Sequence, residues 1–407
     1  MIPTKVVVVG QGYVGLPLSI AIAEAGFNVI GFDLNIDLVE KLNAGISHIE
    51  DIPGEALTKY LKAGNYIATS NPSDFRNSDI AIIAVPTPLN DERKPDLSFI
   101  ESASKLLGKN LLKSTLIINE STSYPGTLRN VIAPLVNGNS PKNVNHSFAI
   151  SPERVDPGNN NWKIKNTPRI LAGLTQEAKE EAKEFYSNFC DDLVEVSSPE
   201  VAEAAKLFEN TFRQVNIALV NEFAQITNSL GIPVTEVLDA ASTKPYGFMK
   251  FTPGIGVGGH CIPVDPSYLA YVAEKNGVVP SFINLANEVN LAMPLYIANR
   301  IEDLVGGELR GKKILVCGIA YKKDVADVRE SPAELLIKEL RRRGSEVLWH
   351  DPRVAKWNNE VSVVPKVNEF DLTFIAVAHS EMDLLAINTS SKIVFDATSS
   401  LSSAVKL

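Results

Sequence analysis

Cysteine is scarce in this chain. Cys190, Cys261 and Cys317 are the only three among 407 residues. Thiols so few and so far apart cannot build a disulfide framework, so a reducing compartment, the cytoplasm, is the expected location. Long apolar runs are missing as well. No stretch approaches the ~18 residues that span a bilayer, and the run at 6–9 is too short for the core of a signal peptide. Positive charge is in deficit, with a formal net charge of -9. That disfavours nucleic acid and anionic membranes as partners, since both need a basic face. A small anionic ligand needs only a local cluster or a helix N-terminus and stays open. His48, His146, His260, His350 and His379 show no metal-ligand spacing with one another or with the cysteines, so no catalytic metal is expected. No repeat and no low-complexity tract is visible.

What is present is an ordinary globular balance, 45% hydrophobic and 21% charged. The length predicts two or three domains. Short apolar strands at 6–9, 28–32, 80–85, 116–118 and 148–150 alternate with helical patterns such as 17–25 and 99–112, which predicts a doubly wound parallel sheet. From Pro199 the texture changes. Residues 200–230 keep helical periodicity without Pro or Gly until Gly231-Ile232-Pro233 stops them. Helices are predicted next at 234–242, 266–276 and 281–304. Near Gly306-Gly307 the composition breaks again, into strands at 313–317, 346–350, 372–377 and 393–395 with a helix at 332–343. The expected class is α/β, with two Rossmann-like doubly wound domains joined by a long central helix. The expected boundaries are 1–198, 199–306 and 307–407.

Two glycine clusters carry the chemistry. The first, Gly10-Gln11-Gly12-Tyr13-Val14-Gly15, follows a strand and opens a helix. In G-x-G-x-x-G the first glycine allows the tight turn. The second admits a pyrophosphate to the backbone, and the third lets helix pack on strand. Asp33 ends the next strand, where a carboxylate accepts ribose hydroxyls and would repel a 2′-phosphate, so NAD is favoured over NADP. An unrelated glycine turn is the alternative. The second cluster places Gly254, Gly256, Gly258 and Gly259 directly before His260 and Cys261. Residues without a Cβ allow unusual dihedrals and close approach of a ligand. Asp265 is read as the N-cap of the following helix and Pro266 as its first residue, so Cys261 sits ahead of a helix N-terminus that favours thiolate. A buried structural role is the alternative for Cys261 and the preferred reading for Cys190 and Cys317. His260 could help to ionise the thiol.

On the long helix, Lys206, Asn210 and Arg213 fall at i, i+4 and i+7 and share a face. That face is either solvated or, if it meets the cysteine loop, suited to an oxyanion.

Seven motifs in order, GQGYVGLPL, VPTP, ESTSYPGT, SPERVDPGN, AAKLFENTFRQVNIALVNE, PGIGVGGHCIPVDP and GIAYKKDVADVRESPA, give the chain its resemblance to the UDP-sugar 6-dehydrogenases over nearly its whole length. The resemblance implies an N-terminal NAD domain, a central helical dimerisation region that makes a homodimer, and a C-terminal UDP-binding domain. It also implies two successive oxidations by NAD. Cys261 resembles the nucleophile that forms a thiohemiacetal and then a thioester. Lys206 and Asn210 resemble the pair that stabilises the oxyanion. Asp265 resembles the carboxylate that positions the hydrolytic water, Glu153 the acid–base glutamate and Thr122 a threonine that holds a water. Thr87 and Arg329 resemble cofactor contacts, beside Gly10, Gly12, Tyr13, Val14, Gly15 and Asp33. Lys322 resembles a UDP contact. Arg213, Gly258 and Phe251, the last just after Lys244-Pro245-Tyr246-Gly247-Phe248, are expected at the sugar. SPERVDPGN, ENTFRQVNIAL and KPYGF are most similar to the UDP-N-acetylglucosamine enzymes, a pattern shared with UDP-N-acetylmannosamine and UDP-N-acetylgalactosamine enzymes.

Oxidising an alcohol to an acid takes two hydride transfers, and capture by a thiolate keeps the aldehyde in place for the second. A two-electron hydroxyacid dehydrogenase would need neither Cys261 nor a third region. A non-catalytic binder of NAD or UDP-sugar would bind without turnover. UDP-glucose is a further alternative substrate.

Overall fold

The computed structural model describes residues 4–49, 51–156, 158–159 and 161–407. Pro157 of the SPERVDPGN motif lies outside the described residues, as do Met1, Ile2 and Pro3.

The valine- and isoleucine-rich runs form strands because β-branched side chains fill both faces of a sheet covered by helices. The first sheet contains β1 (Lys5–Val9), β2 (Asn28–Phe32), β3 (Tyr66–Thr69), β4 (Ile80–Ile83), β5 (Leu116–Asn119), β6 (Ser147–Ile150), β7 (Arg169–Gly173) and β8 (Leu193–Glu195). Their order is β3-β2-β1-β4-β5-β6-β7-β8. The first six follow the 3-2-1-4-5-6 order of dinucleotide-binding folds. Along β1 the side chains alternate. Val6 and Val8 pack into one core with α1 (Gly15–Glu24), α2 (Ile36–Asn43) and α3 (Gly54–Ala63). Val7 and Val9 pack into the other with α4 (Ser98–Asn110) and α5 (Ala133–Asn139). Helix α6 (Gln176–Tyr186) completes the first core.

One pairing departs from the expected parallel sheet. β7 runs antiparallel to β6, and among the described residues between them no helix carries the chain back across the sheet. The edge strand β3 escaped the sequence reading because its four residues, Tyr-Ile-Ala-Thr, make only a short mixed run, with Ile67 56% exposed.

The chain divides into two compact units between Glu209 and Asn210, inside the long helix α7 (Pro199–Ser229). The second unit holds α8 (Val234–Ser242), α9 (Asp265–Lys275) and α10 (Ser281–Leu304). Its sheet is built from β9 (Lys313–Cys317), β10 (Glu346–His350), β13 (Phe370–Ile375), β14 (Ser391–Asp396) and β15 (Val405–Lys406), in the order β10-β9-β13-β14-β15. A small ladder, β11 (Lys356–Trp357) with β12 (Glu360–Val361), stands apart. Helices α11 (Pro332–Arg342) and α12 (Leu384–Thr389) cover this sheet. That strand order is the other common doubly wound arrangement. Among the described residues no helix is long and apolar enough to cross a membrane.

Candidate active site

In the first unit the three glycines of the turn have three separate geometries. Gly10 has φ +95, and a Cβ there would lie 2.4 Å from the Ala84 carbonyl. Gly15 is pressed on Gly10, whose carbonyl oxygen would be 1.8 Å from a Cβ. Gly12 has nothing within 4 Å, so its backbone is open to a ligand. Asp33 accepts the Gln11 N–H at 2.9 Å and the Asn35 N–H at 2.9 Å, one on each oxygen. Each oxygen keeps a lone pair for a ribose hydroxyl. Tyr13 is exposed, Val14 precedes α1 as its cap, and Thr87 is buried after β4. These residues fit a dinucleotide.

Glu153 and Thr122 follow the carboxyl ends of β6 and β5. The Thr122 loop is tied to α7, because buried Glu203 accepts Ser123 Oγ at 3.2 Å, Gly126 N at 2.6 Å and Leu128 N at 3.0 Å. Burial pushes the Glu203 carboxyl up to about 7 against the pull of those donors. One turn on, Lys206 is only 9% exposed. Within its unit its ammonium meets no acceptor among the described residues. A buried cation without an anion is costly unless a ligand supplies one.

The second unit gathers Asn210, Cys261 and Asp265. Asn210 Nδ2 donates to buried Asp265 at 2.5 Å. The Asp265 N–H bonds the Cys261 carbonyl at 2.8 Å, which sets the thiol ahead of α9. The expected N-cap is corrected by one residue. Val264 precedes the helix, Asp265 is its first residue and Pro266 its second. The reason is Asn210, which draws the Asp265 carboxylate away from its own helix. Cys261 is exposed, whereas Cys190 and Cys317 are buried, as expected for structural thiols. Burial pushes the Cys190 thiol up to about 12 and Cys317 further. His260 is pushed down by burial first and then by Arg329, which leaves its ring neutral.

The loop before Cys261 is held on several sides. Gly254 N donates to Asn221 Oδ1 at 2.8 Å, and buried Asn221 donates to Asn290 at 3.0 Å. A Cβ on Gly256 would lie 2.8 Å from the Asn290 carbonyl oxygen, and one on Gly259 2.7 Å from the Tyr321 ring. The Arg329 carbonyl accepts Gly259 N at 3.0 Å, while the Arg329 guanidinium is paired with Asp327 at 2.6 Å. What approaches Gly256, Gly258 and Gly259 so closely is the protein itself. Phe251 packs edge-on to Phe212, Lys322 is half-buried beside Tyr321, and Arg213 is exposed. The stripe read on α7 therefore grades from buried at Lys206 to solvated at Arg213.

The second unit repeats the first turn with a different outcome. Gly318 has φ +82, and its N–H bonds the His350 carbonyl at 2.8 Å, as Gly10 bonds that of Phe32 at 2.8 Å. Asp351 then stands where Asp33 stands. It accepts Ile319 N at 2.9 Å, Ala320 N at 3.2 Å, His379 Nε2 at 3.1 Å, Arg353 N at 2.9 Å and Val354 N at 3.2 Å.

Sequence reading missed Glu120, Arg169 and Tyr186, a buried cluster around Glu153, along with Glu203, Asn221 and Asn290. The available sign was a charged residue at the end of an apolar run, as Arg169 stands before Ile170-Leu171-Ala172 and Glu120 just beyond Leu116-Ile117-Ile118.

One unit carries a glycine turn and a carboxylate that fit a dinucleotide, the mark of a nicotinamide-dependent class, and the other an exposed thiol on an anchored loop. Comparison with known proteins makes the class specific. The chain belongs to the UDP-glucose/GDP-mannose dehydrogenase family, whose NAD-binding domain matches residues 4–190, central domain residues 200–292 and UDP-binding domain residues 315–403. It is an NAD-dependent UDP-sugar dehydrogenase. A UDP-N-acetyl-D-mannosamine dehydrogenase of Pyrococcus horikoshii is 35% identical over 382 residues, 93% of this chain and 90% of its own. A UDP-N-acetyl-D-glucosamine 6-dehydrogenase of Pseudomonas aeruginosa is 35% identical over 392 residues, 93% of this chain and 91% of its own. The solved structure of the UDP-D-ManNAc dehydrogenase from Pyrococcus horikoshii matches with a TM-score of 0.90 at 32% identity, covering 99% of this chain and 98% of that one.

Proposed function

We propose that the protein oxidises the C6 hydroxymethyl group of a UDP-N-acetylhexosamine, UDP-N-acetylglucosamine first, to the uronic acid through a thioester on Cys261. The observation that carries this reading is the exposed Cys261 on a loop anchored from several sides, next to the Asn210–Asp265 pair. Bound NAD supplies the two-electron acceptor for each oxidation. Gly10, Gly12, Tyr13, Val14, Gly15, Asp33, Thr87 and Arg329 hold it, and Lys322, Gly258, Phe251 and Arg213 serve the UDP-sugar. Glu153 takes the proton of the C6 hydroxyl. The Cys261 thiolate adds to the aldehyde carbon, and the oxyanion is met by Lys206 and Asn210. After the second oxidation the thioester is cleaved by a water that Thr122 holds and Asp265 positions. The C–S bond breaks to give carboxylate and free thiol. One alcohol, two NAD+ and one water thus become one carboxylate, two NADH and three protons.

The working division is an NAD domain at 1–198, a central region at 199–306 and a UDP domain at 307–407. Self-association through α7 belongs to the same reading. Phe212, Leu219 and Ile226 recur every seven residues and are 41%, 63% and 48% exposed, a stripe suited to a second copy of the helix.

UDP-N-acetylmannosamine is the second reading, favoured by what the Pyrococcus horikoshii relative is named for. NADH yield on UDP-GlcNAc, UDP-ManNAc, UDP-GalNAc and UDP-glucose tests both. Two NADH per UDP-GlcNAc with the highest kcat/KM is expected. One NADH per substrate, or full turnover by Cys261→Ser, would overturn the covalent route.

A further inference from the structure

A guanidinium lies sealed behind Glu153. Arg169, the first residue of β7, has a side chain only 4% exposed. It donates to Glu120 at 2.6 and 3.0 Å and to Glu153 Oε2 at 2.5 Å. Its guanidinium lies 4.8 Å from the centroid of the Tyr186 ring, and the Tyr186 hydroxyl donates to Glu120 Oε1 at 2.5 Å. The other oxygen of Glu153 accepts the N–H groups of Arg154 at 2.7 Å and Val155 at 2.6 Å. Some 11% of the Glu153 side chain still reaches the surface, whereas Glu120 has none exposed.

Stability alone is a poor reason for such a cluster, since buried ion pairs rarely outperform apolar residues of the same volume. Its position gives a better one. Glu120 and Glu153 follow the carboxyl ends of β5 and β6, the edge where ligands of open α/β sheets bind. Arg169 reaches that edge only because β7 is antiparallel. Continuing the register Ala149↔Gly173 and Ile150↔Ala172 sets Glu153 opposite Arg169. A parallel β7 would carry its first residue to the far end of the sheet.

We infer that Arg169, braced by Glu120 and Tyr186, is a positioning residue that fixes the orientation and charge of Glu153 for proton transfer. The inference rests on the proposed acid–base role of Glu153. Electrostatics agree with the geometry. Burial alone would raise the Glu153 carboxyl, but Arg169 and the N–H of Val155 outweigh it and hold it below the ordinary carboxylate range. Glu120 moves the other way, because its deeper burial and the charge of Glu153 exceed the pull of Arg169. The titratable groups facing Glu153 are therefore Arg169 from β7 and Glu120 after β5, with Tyr186 and Cys190 behind them. The Arg154 guanidinium turns away to Glu209 and the Pro168 carbonyl.

The test is the pH profile of kcat/KM for the full-length enzyme with saturating NAD. Glu153→Gln first checks the underlying role, because wild-type turnover there would remove Glu153 from the chemistry and sink the proposed function itself. In Arg169→Gln the base titrates higher, so the acid limb should move up by about one to three pH units, and activity lost at neutral pH should return in alkali. Arg169→Lys keeps the charge without the fork. It should shift the limb less, and it carries the test if Arg169→Gln does not fold. Glu120→Gln resembles the neutral form toward which burial pushes Glu120, so it should leave the acid limb where it is. If Glu153→Gln is inactive while the Arg169 variants lower kcat with an unmoved acid limb, Arg169 is merely structural and the inference falls alone.

Discussion

A methyl group placed on Gly258 tests how tightly the cysteine loop is held. The backbone there is not in the left-handed region, so Gly258→Ala adds no intrinsic strain. The space is filled instead. The new Cβ would lie 2.7 Å from Tyr321 Cβ, 2.8 Å from the Glu330 carbonyl oxygen and 3.0 Å from Pro332 Cδ. Ordinary contacts begin near 3.4 Å, so each neighbour or the loop must give way by roughly 0.4–0.7 Å. The wall is the less able to retreat. Tyr321 N is bonded to the Asp327 carbonyl at 3.0 Å, and Pro332 begins α11. Overpacking of this kind costs about 1–3 kcal/mol, and the loop carries the displacement toward Cys261, three residues on. A reacting atom misplaced by ~1 Å loses on the order of 100-fold in rate, so kcat should fall by roughly 10- to 100-fold. Gly254→Ala is the matched control. It has nothing within 4 Å of its Cβ, and its N–H bond to Asn221 is a backbone bond that the substitution keeps. NADH production with UDP-GlcNAc reads kcat, and a thermal melt of each variant separates misplacement from unfolding. Equal kcat in the two variants would refute the argument that protein packing at Gly258 sets the thiol's position.

Asp33→Ala should weaken NAD+ binding while leaving UDP binding unchanged. Charge-assisted bonds are worth about 1.5–3 kcal/mol each, and calorimetric titration with each nucleotide reads the difference. On the proposed route Lys206→Ala removes an oxyanion donor but leaves the thiol, so kcat should drop by about 10²–10³ with added mass trapped on Cys261, visible by intact-protein mass spectrometry. Glu203→Ala strands the N–H groups of Gly126 and Leu128. It should cost on the order of 1–3 kcal/mol for each group, seen as a lower Tm. Leu219→Glu puts charge into the exposed stripe of α7 and should shift the light-scattering mass to that of one chain; an unchanged mass would remove α7 from the interface.

The alternation of apolar runs with helical periods gave most of the fold because each run is buried on both faces. It failed where burial is one-sided or the strand is at an edge, as at β3 with its exposed Ile67, and at β7, which opens on a charged residue. The glycine turn was legible down to the work of each glycine, since steric demands act locally. Cys261 stood out because four glycines, Gly254, Gly256, Gly258 and Gly259, lead up to it. Glu120, Arg169 and Tyr186 were invisible for the opposite reason. They meet only after β5, β6, β7 and α6 are assembled, and no spacing along the chain encodes a guanidinium shared by two carboxyl groups. Asp265 was given the wrong local partner, because capping rules see the helix that follows and not the asparagine arriving from α7.

Asp351 and Asp33 occupy the same station in two copies of one turn and work in opposite trades. Asp33 keeps room for guests. Asp351 spends its capacity on five donors of its own chain, His379 among them, and is only 1% exposed. A carboxylate so occupied is deaf to whatever sugar a nucleotide carries past it. The second unit therefore has the architecture of a cofactor pocket with its reader removed from service and made into masonry. Whichever residues there distinguish a UDP-sugar from a dinucleotide, Asp351 is not one of them, and mutating it would damage the wall rather than change the choice of tenant.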